Sequence, residues 1–259
     1  MAENEPGQPP VGRADFTHDL PVPAVALAVG AHPDDVEFGA GATLAKWAAA
    51  GCVVHHLICT DGSKGTWNPK ADLAVLIEQR HREQSEAARR LSGAGAGMVL
   101  FLDRVDGELD SDLATRGEVV AVIRELRPEV VLGHDPWKRY RLHPDHRQAG
   151  LLVCDGVVAA RDPHFFPEQG LAAHRPTALL LFEADEPDHV EDVGGDGGRY
   201  IERKLDALEA HASQFESTMK AADDKQLAAF RGRIAARLAE LGRPFGYAGA
   251  ELFKQITDL

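Results

Sequence analysis

Two apolar runs of this chain end at nearly the same polar pattern. HPDD occupies His32–Asp35, directly after the run Ala24–Gly30, and HPDH occupies His143–His146, a few residues after the run Val130–Gly133. Each stretch reads as a strand, a turn and the start of a helix. Proline fits the first helical turn because its missing N–H has no partner there anyway. The repetition therefore predicts two strand–helix junctions that carry related chemistry.

Short apolar runs bounded by turn residues recur along the chain and are typical of strands buried on both faces of a parallel sheet. The predicted strands are Ala24–Gly30, Val53–Cys59, Met98–Leu102, Glu129–Gly133 and Thr177–Phe182. Helical patterns alternate with them at Thr43–Ala50, Leu73–Leu91, Arg116–Leu126 and Arg147–Ala160. This alternation predicts an α/β fold, a Rossmann-like, doubly wound and mostly parallel sheet with helices on both faces, in a single domain.

The remaining segments are assigned around that sheet. Residues 1–20 are predicted to be a flexible N-terminal tail and residues 21–259 the folded domain. After Phe182 an acidic, glycine-rich loop is expected to hold a short strand around His189–Val193. Helices are predicted at Tyr200–Ala212 and Lys225–Leu241, so the last third reads as a cap with extra strands on the same domain.

Charge and cysteine content restrict the partners. The 41 acidic residues outnumber the 28 basic ones, which gives a net charge of -13 and argues against nucleic acid or an anionic membrane as a partner. No apolar run approaches the ~20 residues of a membrane span, and no signal peptide is recognisable. The three cysteines, Cys52, Cys59 and Cys154, lie among apolar neighbours and read as free thiols. A cytoplasmic protein is expected, and homo-oligomers remain open.

The two motifs are expected to share one site. Ligands of open α/β sheets bind beyond the carboxyl ends of the strands, where the strand order reverses. A strand order of 3-2-1-4-5 makes the first and fourth strands neighbours there, and these strands carry the motifs. One motif alone reads equally as a favourable helix start, because aspartate in the first turn complements the helix dipole. Two copies at the same sheet edge favour a site.

Spacing within the motifs suggests a role for each side chain. Catalytic zinc usually takes three protein ligands and keeps a fourth position for water. His32, Asp35 and His146 would complete such a set. Asp34 would then be free as a general base, and His143 as a proton donor or oxyanion stabiliser. Asp145 is expected to orient the imidazole of His143.

At these residues the chain resembles the LmbE/PIG-L-like zinc-dependent de-N-acetylases, which include deacetylases of the mycothiol and bacillithiol pathways. AHPDDVE at Ala31–Glu37 resembles the first family motif, and HPDH matches the second. GAGATLAK at Gly39–Lys46, the Asp106-Gly107 pair and AHASQ at Ala210–Gln214 also fit. The resemblance implies the same zinc ligands, with Asp34 as base and His143 as acid or stabiliser. It also implies substrate contacts from Arg80 and a pocket position for His211.

The expected function is therefore that of a zinc hydrolase, with one Zn²⁺ or another divalent transition metal per chain. It would remove an N-acetyl group from an N-acetylglucosamine-type conjugate, a small-molecule substrate. Rival interpretations are an amidase on a thiol conjugate, a deacetylase of an antibiotic glycoside and a non-catalytic ligand-binding protein. Gly39 and Gly41 favour close helix packing over a dinucleotide loop. Loops that carry Lys64, Trp67 and Tyr140 suit a sugar ligand or are ordinary surface, and sequence leaves this open.

Overall fold

Five parallel strands form the centre of one sheet, and the two strands that carry the motifs are neighbours in it. The structure, a computed structural model, describes residues 15–259. Its strands are β1 (Thr17–His18), β2 (Val25–Gly30), β3 (Val53–Thr60), β4 (Ala96–Arg104), β5 (Val130–His134), β6 (Ala178–Phe182), β7 (His189–Asp192) and β8 (Ala250–Ile256). They lie in the order β1-β7-β8-β6-β5-β2-β3-β4. The run β4-β3-β2-β5-β6 therefore matches the order 3-2-1-4-5, in which the two strands that carry the motifs are neighbours, and β2 lies beside β5.

Helices cover both faces of the sheet. They are α1 (Asp35–Ala49), α2 (Leu73–Ser92), α3 (Leu113–Leu126), α4 (Pro144–Arg161), α5 (Arg199–Leu208) and α6 (Asp224–Gly242). Successive side chains of a strand point to opposite faces. Accordingly, Ala26 and Ala28 of β2 pack in the cluster with α1, α2 and α5, whereas Leu27 and Val29 pack in the cluster with α3 and α4. The predicted doubly wound, mostly parallel fold is confirmed.

The predicted start of the first helix was wrong. α1 begins at Asp35 and not at Thr43, so the first motif runs straight into the helix. Gly39 and Gly41 lie in the first two turns, and a glycine is about 1 kcal/mol less favourable than alanine in a helix. For this reason the sequence pattern did not predict these turns as helical. Gly39 is there for packing, because a Cβ at this position would overlap the ring of Phe182 in β6. The glycine thus lets α1 lie close to the sheet.

The last part of the chain extends the sheet. β8, which the sequence pattern did not reveal, pairs antiparallel with both β6 and β7. β7 confirms the short strand predicted around His189–Val193, and β1 pairs parallel with it. The end of the predicted tail 1–20 therefore belongs to the sheet, while residues 1–14 lie outside the described residues. No helix among residues 15–259 is long and apolar enough to cross a bilayer.

Candidate active site

The two motifs meet at the carboxyl ends of β2 and β5. His32 follows β2, and His143 stands immediately before α4, whose first residue is Pro144. The ring centroids of His32 and His143 are 4.5 Å apart, and those of His32 and His146 are 5.2 Å apart. Residues separated by more than 100 positions thus form one cluster, as expected of neighbouring strands at the point where the strand order reverses.

Asp35 lies between two histidines of this cluster. Its Oδ2 is 3.3 Å from His32 Nδ1, and its Oδ1 is 3.3 Å from His146 Nε2. Within residues 15–259, three groups of side chains bring potential ligand atoms within 4.8 Å of one another: His32, His143 and His146; His32, Asp106, His143 and Asp145; and Asp35, His134 and His146. The predicted ligands His32, Asp35 and His146 draw on the first and third groups. Two imidazoles and one carboxylate form a donor set that suits a divalent transition metal.

Asp145 does not orient His143, as the sequence suggested, but lies against His32. Its Oδ2 is 3.1 Å from His32 Nε2, and its carboxylate accepts the backbone N–H groups of Gly107 and Leu109. Asp106 Oδ1 lies 3.2 Å from the same His32 nitrogen. Because His32 Nε2 donates to these carboxylates, Nδ1, which faces Asp35, is the nitrogen that would bind a metal once it gives up its proton. The side chain of Asp145 turns toward β2, a direction that spacing along α4 could not reveal.

The charges of the cluster shift its pKa values. Burial alone would lower the pKa of His32, but hydrogen bonds to Asp106, Asp145 and Asp35 raise it well above its usual value. Burial would raise the pKa of Asp35, but the neighbouring His146 and His134 hold it well below its usual value. Burial lowers the pKa of His146 to about 4. Asp35 is therefore ionised and His146 neutral at neutral pH, the forms in which these groups bind metals.

Asp34 has a strained backbone that its neighbours hold in place. Its φ of 100° and ψ of -24° lie in the left-handed region, which non-glycine residues rarely adopt. Its N–H donates to Gln84 Oε1 at 2.9 Å, and the preceding carbonyl of Pro33 accepts from Arg80 Nη2 at 2.6 Å. Strain of this kind costs about 1–3 kcal/mol and persists only where surrounding contacts fix it. Gln84 and Arg80 supply such contacts here.

Burial also raises the pKa of the Asp34 carboxyl to about 6, although the nearby Arg80 opposes the shift. Arg80 Nη2 lies 3.6 Å from Asp34 Oδ2 and Arg80 Nη1 donates to the carbonyl of Gly62. Arg80 lines the cavity, yet its side chain is almost completely buried. Arg80 is thus placed to hold the Asp34 carboxylate. The substrate contact expected of Arg80 stays a prediction.

A buried polar network lies beneath Asp34, and sequence reasoning missed it. Gln84 Nε2 donates to Glu37 Oε1 at 2.8 Å and lies 3.2 Å from His56 Nδ1. Glu37 Oε2 lies 3.5 Å from His211 Nε2. All four side chains are fully buried. His211 therefore faces Glu37 and does not line the cavity, contrary to the expectation of a pocket wall, because α5 ends at Leu208 and the chain turns inward.

A second support, His134 at the end of β5, was also missed. Arg141 Nη1 lies 2.9 Å from His134 Nδ1, and a guanidinium only donates, so this nitrogen accepts. The proton of His134 is then on Nε2, which lies 3.2 Å from Asp35 Oδ2. In this tautomer His134 Nε2 donates to Asp35 and orients its carboxylate. Its place directly after the predicted strand Glu129–Gly133 was the one signal that the sequence offered.

The catalytic cavity has a volume of about 490 Å³. His32, Asp34, Asp35, His143 and His146 all line it, together with Arg80 and Asp106. His143 is the most exposed histidine of this cluster, and partial burial together with the nearby His32 lowers its pKa. Potential metal ligands, a carboxylate and a neutral imidazole thus face one space, an arrangement suited to hydrolysis.

Known proteins resemble this chain in both sequence and fold. The sequence model of the GlcNAc-PI de-N-acetylase (PIG-L) family matches residues 27–156. A diacetylchitobiose deacetylase of Thermococcus kodakarensis is 35% identical over 210 residues, which cover 79% of this chain and 76% of that protein. A 1D-myo-inositol 2-acetamido-2-deoxy-alpha-D-glucopyranoside deacetylase of Thermobifida fusca is 32% identical over 238 residues, which cover 73% of this chain and 82% of that protein.

A solved structure agrees with these relatives. The N,N'-diacetylchitobiose deacetylase from Pyrococcus horikoshii, in complex with an inhibitor, superposes with a TM-score of 0.80 at 27% identity. The alignment covers 91% of this chain and 84% of that one. The residues matched by the family model, 27–156, include both motifs.

Proposed function

The chain belongs to the PIG-L family and is a deacetylase, an enzyme that hydrolyses amide bonds; we propose that it uses zinc to release acetate from an N-acetylglucosamine-type conjugate. The observation that carries the proposal is the convergence of His32, Asp35 and His146 beside Asp34 in one cavity. Relatives named for diacetylchitobiose and for an acetamido-glucopyranoside support the sugar.

We assign His32, Asp35 and His146 as the residues that would hold the metal. Their donor atoms fit, because His32 offers Nδ1 while Asp145 and Asp106 occupy its other nitrogen. When bound, zinc would supply a Lewis acid for the amide carbonyl and lower the pKa of water toward about 7. One ion per chain is expected, and the identity of the metal is part of the proposal.

Asp34 is assigned as the general base. Its carboxylate accepts a proton from the water that attacks the carbonyl carbon, so an O–H bond breaks as the C–O bond forms. A pKa raised to about 6 suits this role, because a base is most effective when its pKa lies near the operating pH. Arg80, whose Nη2 lies 3.6 Å from Asp34 Oδ2, helps to keep the carboxylate in place.

His143 is assigned the role of stabilising the negative charge that develops on the amide oxygen. It lines the cavity, where its imidazole can donate to the oxyanion of the tetrahedral intermediate. The C–N bond then breaks, and the leaving nitrogen takes a proton from Asp34 directly or through His143. Acetate and a free amine result, which balances the water consumed.

The decisive experiment measures metal content and amine release from N-acetylglucosamine and N,N'-diacetylchitobiose, with and without a chelator. The expected result is about one zinc per chain and release that the chelator abolishes. Asp34→Asn should keep the metal and lose about 10²–10⁴ in kcat, whereas His146→Ala should lose the metal. Asp110→Asn and the exposed His164→Ala are matched controls.

The rivals make different predictions in the same experiment. A thiol-conjugate amidase or an antibiotic-glycoside deacetylase would bind metal but release no amine from N-acetylglucosamine or N,N'-diacetylchitobiose. Bound metal without turnover on any amide would favour the ligand-binding interpretation and refute the enzyme. A cytoplasmic location, a homo-oligomer and the absence of nucleic acid and membrane partners stay predictions.

A further inference from the structure

A second cavity borders the catalytic one. It has a volume of about 590 Å³ and lies between the loop after β3, at Thr66–Asn68, and the segment Ala212–Leu227. We call it the Trp67 cavity. The two cavities meet where neighbouring residues divide between them, since Gly65 lines the catalytic cavity and Thr66 the Trp67 cavity. The two cavities are therefore neighbours.

The shared wall is a single π-helical turn, Phe215–Met219. Thr218 lines the catalytic cavity, as does the preceding Gln214, whereas Phe215 and Ser217 line the Trp67 cavity. Gln214 Nε2 donates to the carbonyl of Gly65 at 3.0 Å, which ties the wall to the opposite loop. Turns of this kind are rare and frequently occur at functional sites. The wall therefore separates the two cavities and is held in place by its contact with Gly65.

The chemistry of the Trp67 cavity is aromatic and acidic. Trp67 is 84% exposed, and the three carboxylates of Glu216, Asp223 and Asp224 surround the space. Among the described residues that line it, none is a lysine or an arginine. An exposed indole next to carboxylates suits a ring that presents C–H groups to the aromatic face and hydroxyl or ammonium groups to the acids. It disfavours an anionic group, which would meet three like charges.

We propose that the Trp67 cavity binds a second sugar ring, one attached to the reacting N-acetylglucosamine unit and either neutral or carrying a free amine. The proposal rests on the proposed function, because it extends the same substrate beyond the catalytic cavity. The second ring stacks on Trp67, and its polar groups face Glu216 and Asp224. Substrates with a phosphate or carboxylate on that ring bind poorly.

The test compares kcat/KM for free N-acetylglucosamine and for three disaccharides in which it is linked to glucose, glucosamine or glucuronic acid. Each carries a single acetamide, so amine release reports one bond. Trp67→Ala should lower kcat/KM about tenfold for the glucose and glucosamine compounds, mostly through KM, and leave the monosaccharide within about twofold. Trp137→Ala, at the 65% exposed tryptophan of another loop, is the matched control and should change neither.

The charge of the second ring gives an independent measurement. The wild type should prefer the glucose compound to the glucuronic acid compound about tenfold, and Glu216→Gln should narrow that preference. Equal loss on monosaccharide and disaccharides in Trp67→Ala, no loss on any compound, or a preference for the glucuronic acid compound would each overturn the proposal.

Failure of the proposed function is distinguishable from failure of this inference. If the metal-loaded enzyme releases no amine from any of these sugars, the proposed function fails while the cavity is still testable by binding. Chitobiose, the fully deacetylated disaccharide, is then titrated while tryptophan fluorescence is recorded. A saturable change that Trp67→Ala removes and Trp137→Ala keeps supports the second-ring site, and no change in the wild type overturns it.

Discussion

Gln84 is the residue whose replacement tests most directly how Asp34 is held. Gln84→Leu keeps most of the side-chain volume but removes both the acceptor for the Asp34 N–H and the donor to Glu37. Each buried polar group left without a partner costs about 1–3 kcal/mol. Two such groups predict a loss of about 2–6 kcal/mol in the free energy of unfolding.

The effect on catalysis follows from the strained backbone. Asp34 is kept at φ 100° by a small number of contacts, and Gln84 supplies the one to its N–H. A displacement of about 1 Å at a catalytic group costs about 10²-fold in rate. We therefore expect Gln84→Leu to lower kcat about 100-fold with KM nearly unchanged. The assay is amine release by the metal-loaded enzyme, with metal content and thermal unfolding measured on the same samples.

Two further variants make the reasoning refutable. Gln84→Glu keeps an oxygen that faces the Asp34 N–H, so it should retain more kcat than Gln84→Leu while losing stability. Gln79→Leu is the same change on the same helix, at a half-buried position that contacts Glu83, and should leave kcat unchanged. A folded Gln84→Leu enzyme with kcat within about twofold of the wild type refutes the argument. So does a Gln84→Glu enzyme that loses as much kcat as Gln84→Leu.

Three other predictions concern the metal, the fold and the thiols. Asp145→Asn should weaken metal affinity about 10–100-fold in a chelator competition, because it alters the partner of His32 Nε2, and unchanged affinity would contradict this. Lys204→Ala leaves Glu251 buried without its cation and should lower the free energy of unfolding, measured by chemical denaturation, by about 3–5 kcal/mol. Lys254→Ala, which removes the partly exposed ion pair with Asp188, should lower it by less than about 1 kcal/mol. Burial raises the pKa of all three thiols, to about 11 for Cys52, about 12 for Cys59 and about 12 for Cys154. The thiolate fraction at pH 8 is therefore small, and alkylation should be far slower in the native than in the unfolded protein. Equal alkylation rates in the two states would refute the burial of the thiols.

The central sheet was predictable because buried parallel strands carry apolar runs on both faces. β2 and β5 are of this kind, and the order of the strands then brought the two motifs together. β8 escaped because polar residues such as Glu251, Lys254 and Gln255 interrupt its apolar pattern. Its pairing with β6 and β7 is a tertiary effect that local preference does not encode.

The supports of the site were much less predictable than the motifs. His56, Gln84 and His211 come from a strand, a helix and a turn, and no spacing relates them to Glu37. Each reads in sequence as an ordinary polar residue, and only the fold buries them together. Asp145 shows the same limit, since its position in the motif was evident but its partner depended on how α4 meets β2.

The placement of β8 also has a consequence for the order of folding. β6 and β7 are close in the chain, yet both pair with a strand that is synthesised after α5 and α6. Until β8 is made, β6 remains an open edge of the nascent sheet, and β7 and β1 have no place in it. The strands that carry both histidine motifs are complete by then. We therefore expect the edge β6-β8-β7-β1 to close after the strands of the two motifs have been synthesised.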